Sequence, residues 1–247
     1  MAMRIIFSRK GFDRAAGGGA SPIVDECAIS LPIPTGGFSQ TTYSDLGLGE
    51  EAAKASRGKL GASDLCHHDP MFRDGTCLFG QCGAAQTHLE RQGVGVGDVF
   101  LFFGLFADPV SKARHHRFFG FMEVEEIISL SEGTPDWLTQ IGHPHALGMH
   151  ARNDVIYRGR GGNDAPASDA LRLTVPEGPA SLWNRPKWLR QGGLSYHDRP
   201  SRWSQRGRLQ SVARGQEFVA DIGRRKEPRV WLNAILKEMG TDRQFAV

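Results

Sequence analysis

Three carboxylates of this 247-residue chain sit in polar, glycine-rich surroundings: Asp13 in "RKGFD", Asp69 in "HHDP" and Glu217 in "RGQEF". Each has a basic or hydrogen-bonding neighbour. Hydrolysis of a glycosidic bond needs little more than a carboxylate to position water or stabilise a sugar cation, plus a donor for the leaving group. The bland alternatives are turn caps for Asp13 and Asp69 and an arginine partner for Glu217.

Metal chemistry has candidate ligands. Cys66, His67, His68, Asp69, Cys77 and Cys82 fall within one stretch, and His143, His145 and His150 form a second cluster. The Cys77 to Cys82 spacing is wider than the usual zinc pair, and "GHPHALGMH" is broken by proline rather than set on a helical face. No metal is therefore expected, and the histidines are read as hydrogen-bonding or phosphate-contacting loop residues. The four cysteines are too few and too unevenly placed to staple the chain, so reduced thiols are expected. There is no phosphate-binding loop ending in Lys-Ser/Thr, no dinucleotide fingerprint after a strand, and no zinc-deaminase motif. No cofactor is called for.

Charge is modest overall, at +3, but unevenly placed. From Trp183 to Arg229 there are 12 Lys or Arg against 4 Asp or Glu, interleaved with Trp183, Trp188, Tyr196, Trp203 and Phe218. Arginines beside aromatic rings suit phosphates and unstacked bases, so DNA is the expected partner. A solvated surface with buried aromatic anchors explains the same pattern. No apolar run approaches the roughly 18 residues of a membrane helix, and "MAMRIIFSRKG" lacks a signal peptide's features. A cytoplasmic protein without a membrane or obligate protein partner is expected.

The elements that must position these residues read as a mixture. "MRIIFS" is a strand running into a glycine-rich loop, and "GVGVGDVFLFFGLF" with "HRFFGFMEVEEIISL" reads as a hairpin buried on much of both faces. Further strands are expected at "AISLPIP", "DVIYRG" and "ALRLTV", and "CHHDPMFRDGTC" is expected to be a loop. Helices are predicted in "EEAAKASRGKLG", "AAQTHLERQG" and "TPDWLTQIG". Leu232, Ile235, Leu236 and Met239 at i, i+3, i+4 and i+7 predict a terminal helix. Strands and helices without a βαβ rhythm imply an α+β fold: one mixed domain over residues 1–247, with a central, largely antiparallel sheet and flanking short helices.

Seven ordered motifs carry a resemblance: "IIFSRKGFD", "GGGASPI", "FGQCGAAQTHL", "GVGVGDVFLFFGLF", "LSYH", "RW" and "ARGQEFV". Together they resemble the nucleotide-modification-associated domain 3 family, from near residue 4 to about residue 235. The resemblance implies work on modified bases of phage or bacterial DNA. It draws attention to Lys10, Gly11, Phe12 and Asp13, to Asp69 and Pro70 with either His67 or His68, to Gln81 and Gln86, to His143 and His145, and to Arg214, Gln216 and Glu217. A shorter stretch is similar to PUA-like or EVE-like base-binding domains, where Gly97 and Asp98 precede "VFLFF" and Gly120 opens "FMEVEEI".

Motifs and absences together support excision of a modified base, such as a glycosylated pyrimidine of phage DNA, by hydrolysis of its N-glycosidic bond in antiphage defence. Asp13, Glu217, Asp69, Lys10 and His68 are the catalytic candidates. Arg9, Phe12, Gln81, Gln86, His143, His145, Tyr196, His197, Arg202, Trp203, Arg214 and Gln216 are the candidates for holding DNA and its flipped base. The alternatives are an enzyme that builds or alters such bases, including NAD-dependent ADP-ribosyl transfer with Glu217 against the ribosyl cation, and a non-catalytic reader.

Overall fold

The computed structural model describes residues 2–148, 150–204, 206–213 and 217–246. Arg214 and Gln216 lie outside the described residues. The strands are β1 (Met3–Arg9), β2 (Ile23–Val24), β3 (Cys27–Ala28), β4 (Met71–Arg73), β5 (Thr76–Gln81) and β6 (Val99–Ala107), followed by β7 (Arg114–Ser129) and β8 (Val155–Gly162). After them come β9 (Leu182–Asn184), β10 (Trp203–Ser204), β11 (Arg208–Gln210) and β12 (Glu217–Gly223). The helices are α1 (Gly49–Ser56), α2 (Gly83–Arg91), α3 (Asp136–Gln140) and α4 (Lys226–Glu238). The fold is mixed α+β, as the sequence implies.

Seven strands form the central sheet in the order β12-β1-β6-β7-β8-β5-β4, and only the β1–β6 pair is parallel. Interior strands covered on both faces need near-continuous apolar sequence rather than alternation. That is why "MRIIFS" and "VFLFFGLF" read as unbroken runs: Ile5, Ile6 and Phe7, and Val99 through Phe103, are all buried. One face packs Ile5, Phe7, Leu101, Phe103 and Trp183 against Leu232, Ile235 and Leu236 of α4. The other packs Ile6, Phe79, Phe100, Phe102, Phe119 and Tyr157 with Leu89 of α2.

The sheet is strongly curled. Gln81 at the end of β5 hydrogen-bonds Glu217 at the start of β12, although four strands lie between them in the ladder. Register shifts at Phe102/Phe103 and at Val124/Glu126 supply local bends of the kind bulges produce. The aromatic rings of the second core fill the resulting concavity.

Three local expectations are corrected. "AISLPIP" contributes only the short β3 and an isolated bridge at Pro34, since two prolines remove ladder donors. "ALRLTV" forms a 3-10 turn at Asp169–Leu171 with isolated bridges, its alternating leucines reaching the core without a strand partner along their length. "CHHDPMFRDGTC" is a loop only as far as Pro70; Met71–Arg73 and Thr76 onward pair as a hairpin. Gly97 and Asp98 immediately precede β6, and the Asp98 carboxylate accepts the backbone N–H groups of Arg4 at 2.7 Å and Gly95 at 2.8 Å, a structural staple.

Candidate functional site

The site starts where β1 ends. Lys10 follows the last residue of that strand, Glu217 opens its antiparallel neighbour β12, and the curl brings Gln81 against both. Glu217 is fully buried, and its Oε1 accepts hydrogen bonds from Lys10 Nζ at 3.0 Å and Gln81 Nε2 at 2.8 Å. Its Oε2 has no hydrogen-bond partner among the described residues. The Lys10 ammonium also lies 4.1 Å from the centroid of the Phe79 ring, a cation–π contact.

Asp69 stands opposite. Its Oδ1 accepts the Gly80 N–H at 2.8 Å and lies 3.6 Å from His143 Nε2, while Oδ2 lies 3.9 Å from His67 Nε2. Burial opposes ionisation of this carboxyl, but His143, His145 and His67 outweigh it and hold its pKa below the usual carboxylate range. Burial, reinforced by His145, His150 and Lys10 against the opposite pull of Asp69, brings His67 down to about 4, so its imidazole is neutral at pH 7. His143 is fully buried with neither ring nitrogen hydrogen-bonded among the described residues.

Behind His67, a second buried carboxylate anchors the histidines. Asp154 Oδ1 lies 2.5 Å from His145 Nδ1, and its Oδ2 accepts the His150 backbone N–H at 3.0 Å. The His145 and His150 rings stack at 4.3 Å. Gly80 makes room for this arrangement: a Cβ there would lie 2.2 Å from His145 Cδ2, so the ring packs directly on the strand backbone.

Two cavities meet at Lys10, Gly11 and Asp69. The first, of about 400 Å³, is polar, with His67, Gln81, Cys82, His145, Arg9 and Asp13 on its walls. The second, of about 350 Å³, has Pro32, Leu46, Leu48, Phe72 and Phe119 as apolar walls, with His68, Asn163 and Asp164. The doubled histidine of "CHHDP" thus serves both: His67 faces one cavity and His68 the other. Glu217 is on neither wall.

Other candidates fall elsewhere. Asp13 lines the polar cavity, but its Oδ1 accepts the N–H groups of Ala15 and Ala16, a turn cap. Arg9 hydrogen-bonds the carbonyls of Val212 and Ala213 and clamps that segment at the cavity edge. Phe12 is buried against Tyr43, and Gln86 is buried in α2, accepting from the Tyr157 hydroxyl at 3.0 Å. His197 is buried beside Phe218, Trp203 donates to the His197 carbonyl, and Arg202 donates to the Gln210 carbonyl. Tyr196 is exposed, with its ring 4.4 Å from that of His88, at a different depression.

Asp154 and Phe79 have no place among the candidates drawn from sequence, and Cys82 and His150 figure there only as metal ligands that the spacing argues against. The one available signal was an aspartate directly before the apolar strand "VIY". Position in the chain says nothing of the curl that carries β5 and β8 to the end of β1.

Residues 4–221 match the model of the family described as nucleotide modification associated domain 3. The chain belongs to that family. The match runs from before Lys10 to beyond Glu217, so every residue of the pocket is inside the family domain. Membership ties the chain to modified nucleotides or bases and is consistent with association with nucleic acid. No curated protein and no solved structure matches the chain. No helix among the described residues is long and apolar enough to cross a membrane.

Proposed function

We propose that this family member excises a modified base from DNA by hydrolysing its N-glycosidic bond. The observation that carries the reading is the position of Asp69: an ionised carboxylate on the wall shared by an apolar cavity and a polar one. A nucleotide has the same two halves. The base, flipped from the duplex, suits the cavity of Phe72, Phe119 and Leu48, whose volume lies in the range of small-molecule pockets. Sugar and phosphate suit the side of Lys10 and Gln81.

In this reaction the C1′–N bond breaks with its electron pair moving to the base, while a water oxygen bonds C1′. Asp69 orients that water and opposes the positive charge that grows on the sugar. His68, on the wall of the apolar cavity, donates a hydrogen bond to the leaving base, which takes a proton from solvent through the imidazole, while the proton of the attacking water passes by way of Asp69 to solvent. Lys10 holds a phosphate oxygen. Glu217 acts through others: it fixes the Lys10 ammonium and the Gln81 amide, and being absent from both cavity walls it is a positioning residue. The same absence takes support from NAD-dependent transfer, which needs Glu217 against the ribosyl cation.

The test is incubation of the protein with DNA carrying glycosylated pyrimidines and with unmodified DNA, followed by mass spectrometry for free base and abasic sites. Release from modified DNA alone is expected. Asp69→Asn should lower the rate by about a thousandfold, in the range of a lost acid–base group, with circular dichroism and DNA binding retained. Tight binding to modified DNA with no base released would leave a reader instead. A borohydride-trapped adduct at Lys10 would replace the water mechanism with an amine nucleophile.

A further inference from the structure

We propose that His67, Asp69 and His145 form a binding site for one divalent transition-metal ion, of the zinc or cobalt kind, open to the polar cavity. Each offers a ligand atom, and the three atoms lie within 4.8 Å of one another. All three residues are on the wall of the same cavity. The set of two imidazoles and one carboxylate suits borderline divalent ions, and three protein ligands with a free side are the arrangement of catalytic rather than structural sites.

The surroundings argue for a built site rather than a chance cluster. Asp69 Oδ1 is taken by the Gly80 N–H, which leaves Oδ2 on the side of His67 Nε2. His145 Nδ1 is paired with the buried Asp154, which leaves Nε2 as its free nitrogen. A carboxylate on the far nitrogen of a histidine is the common outer support of a metal-bound imidazole, fixing both tautomer and ring direction. Gly80 admits the His145 ring onto the strand backbone and simultaneously holds Asp69, so a single residue of β5 places both ligands. At metal–ligand distances of about 2.1 Å, tetrahedral ligands lie about 3.4 Å apart. His67, half-buried on its loop, is the ligand that can close the remaining gap.

Cys82, His145 and Asp154 form an overlapping set. It shares His145 and would require Asp154 to abandon its support of that ring, so one ion rather than two is inferred, and Cys82 is left beside it. Sequence spacing hid the arrangement because the ligands come from a loop before β4 and a 3-10 turn after α3.

Binding of the ion stands apart from any reaction. Its use rests on the excision reading: bound water, with its pKa lowered, would reach C1′ as hydroxide. The oxygen–C1′ bond forms as the C1′–N pair passes to the base, and the base takes a proton from solvent through His68. The nucleophile is then engaged early, which limits the sugar cation that an adjacent divalent charge would disfavour.

The experiment uses the full chain, stripped with a chelator and dialysed. Titration calorimetry with zinc chloride and the visible spectrum with cobalt chloride are expected to give one ion per chain and d–d bands of a low-coordinate N,O site. His67→Ala and Asp69→Asn should each weaken binding at least tenfold, and Asp154→Asn by about 10–100-fold, with circular dichroism unchanged. His88→Ala, outside the cluster, should leave binding as it was. Absence of saturable binding at one ion per chain, or binding that persists unweakened in both His67→Ala and Asp69→Asn, overturns the site. Base release is measured separately with and without zinc. Ion bound but no base released overturns excision alone; base released at full rate by stripped protein overturns the ion's catalytic role while its binding stands or falls on the titration.

Discussion

The pocket around Asp69 and the basic, aromatic stretch from Trp183 to Arg229 are both credible sites in the sequence, and they turn their distinctive side chains in opposite directions. In the pocket, ionisable side chains line open space: Lys10, His67, Asp69 and His145 are on the wall of the polar cavity. In the basic stretch, Trp183 Nε1 donates to His116 Nδ1 at 3.0 Å and Trp203 Nε1 donates to the His197 carbonyl at 2.5 Å. Trp183, Trp188 and Phe218 are buried in the core under the sheet. A side chain on a cavity wall is placed to meet a ligand, whereas a ring enclosed in the core is a packing element. The contrast separates a candidate site from a region that holds the fold together.

That contrast predicts that truncation of Trp183 acts on stability. Its ring meets Phe7, Phe103, His116 and Phe218 and is 2% exposed. Trp183→Ala should cost about 4–5 kcal/mol, near the top of the range for large-to-small core changes, read as a lower urea midpoint. If the variant kept its midpoint and lost DNA affinity instead, the ring would belong to an interface and the division would fail.

Lys10 and Glu217 test the pocket in the other direction. Lys10→Met removes the only cation within ion-pair distance of Glu217 among the described residues and strands a buried carboxylate, a change worth about 3 kcal/mol. The double variant Lys10→Met, Glu217→Gln should recover most of that loss, because the amide keeps the Gln81 hydrogen bond without a charge. Activity should be lost in both. Equal destabilisation in the single and double variants would mean that the cost lies in packing against Phe79.

The core side should also answer to acid. Burial, then Arg9 and His115, pulls His116 down to about 3; burial, then Arg172 and Arg117, pulls His115 down to about 4, with Asp108 opposing. Both are neutral in the fold and become charged in the unfolded chain below its ordinary value of about 6.5. The unfolded state therefore binds more protons, and stability present above pH 6.5 is lost as pH falls toward about 4 and then 3. Between pH 7 and pH 5 each histidine should contribute about 2 kcal/mol of loss, at about 1.4 kcal/mol per pH unit. His116→Asn, whose Oδ1 can accept from Trp183, should show a shallower decline in urea midpoint. A decline as steep as the parent's would assign the acid sensitivity to other groups.

Much of the sheet was legible because interior strands demand apolar runs, and the terminal helix because its buried stripe keeps helical spacing. Asp69 and Glu217 were legible from their polar surroundings and His145 from its histidine cluster, Lys10 and Gln81 only as a resemblance; nothing in their spacing says that they meet. Their convergence depends on the curl of the sheet, a long-range property fixed by bends near Phe103 and Glu126 and by which side chains fill the concavity. "ALRLTV" shows the converse error, since alternation signals burial of one face but does not supply a neighbouring strand.

Burial of Trp183, Trp188 and Phe218 withdraws their rings from base stacking and leaves the exposed Tyr196 and charge. Arg199, Arg206 and Arg208 remain exposed, so any contact they make with DNA should be with phosphates and indifferent to sequence. Each phosphate neutralised contributes about 0.9 to the slope of log affinity against log salt. Replacing both Arg206 and Arg208 with Ala should therefore reduce that slope by about 1 to 2 and weaken binding several-fold at low salt, with the urea midpoint and the ratio of modified to unmodified affinity unchanged. This is the smallest effect of the series and the most discriminating, because it asks only for charge. A reduced slope would make the stretch the phosphate ramp to the pocket. An unchanged slope would leave these arginines as a solvated surface and require DNA to approach Asp69 over the end of β1 at Arg9 and the loop that carries His68.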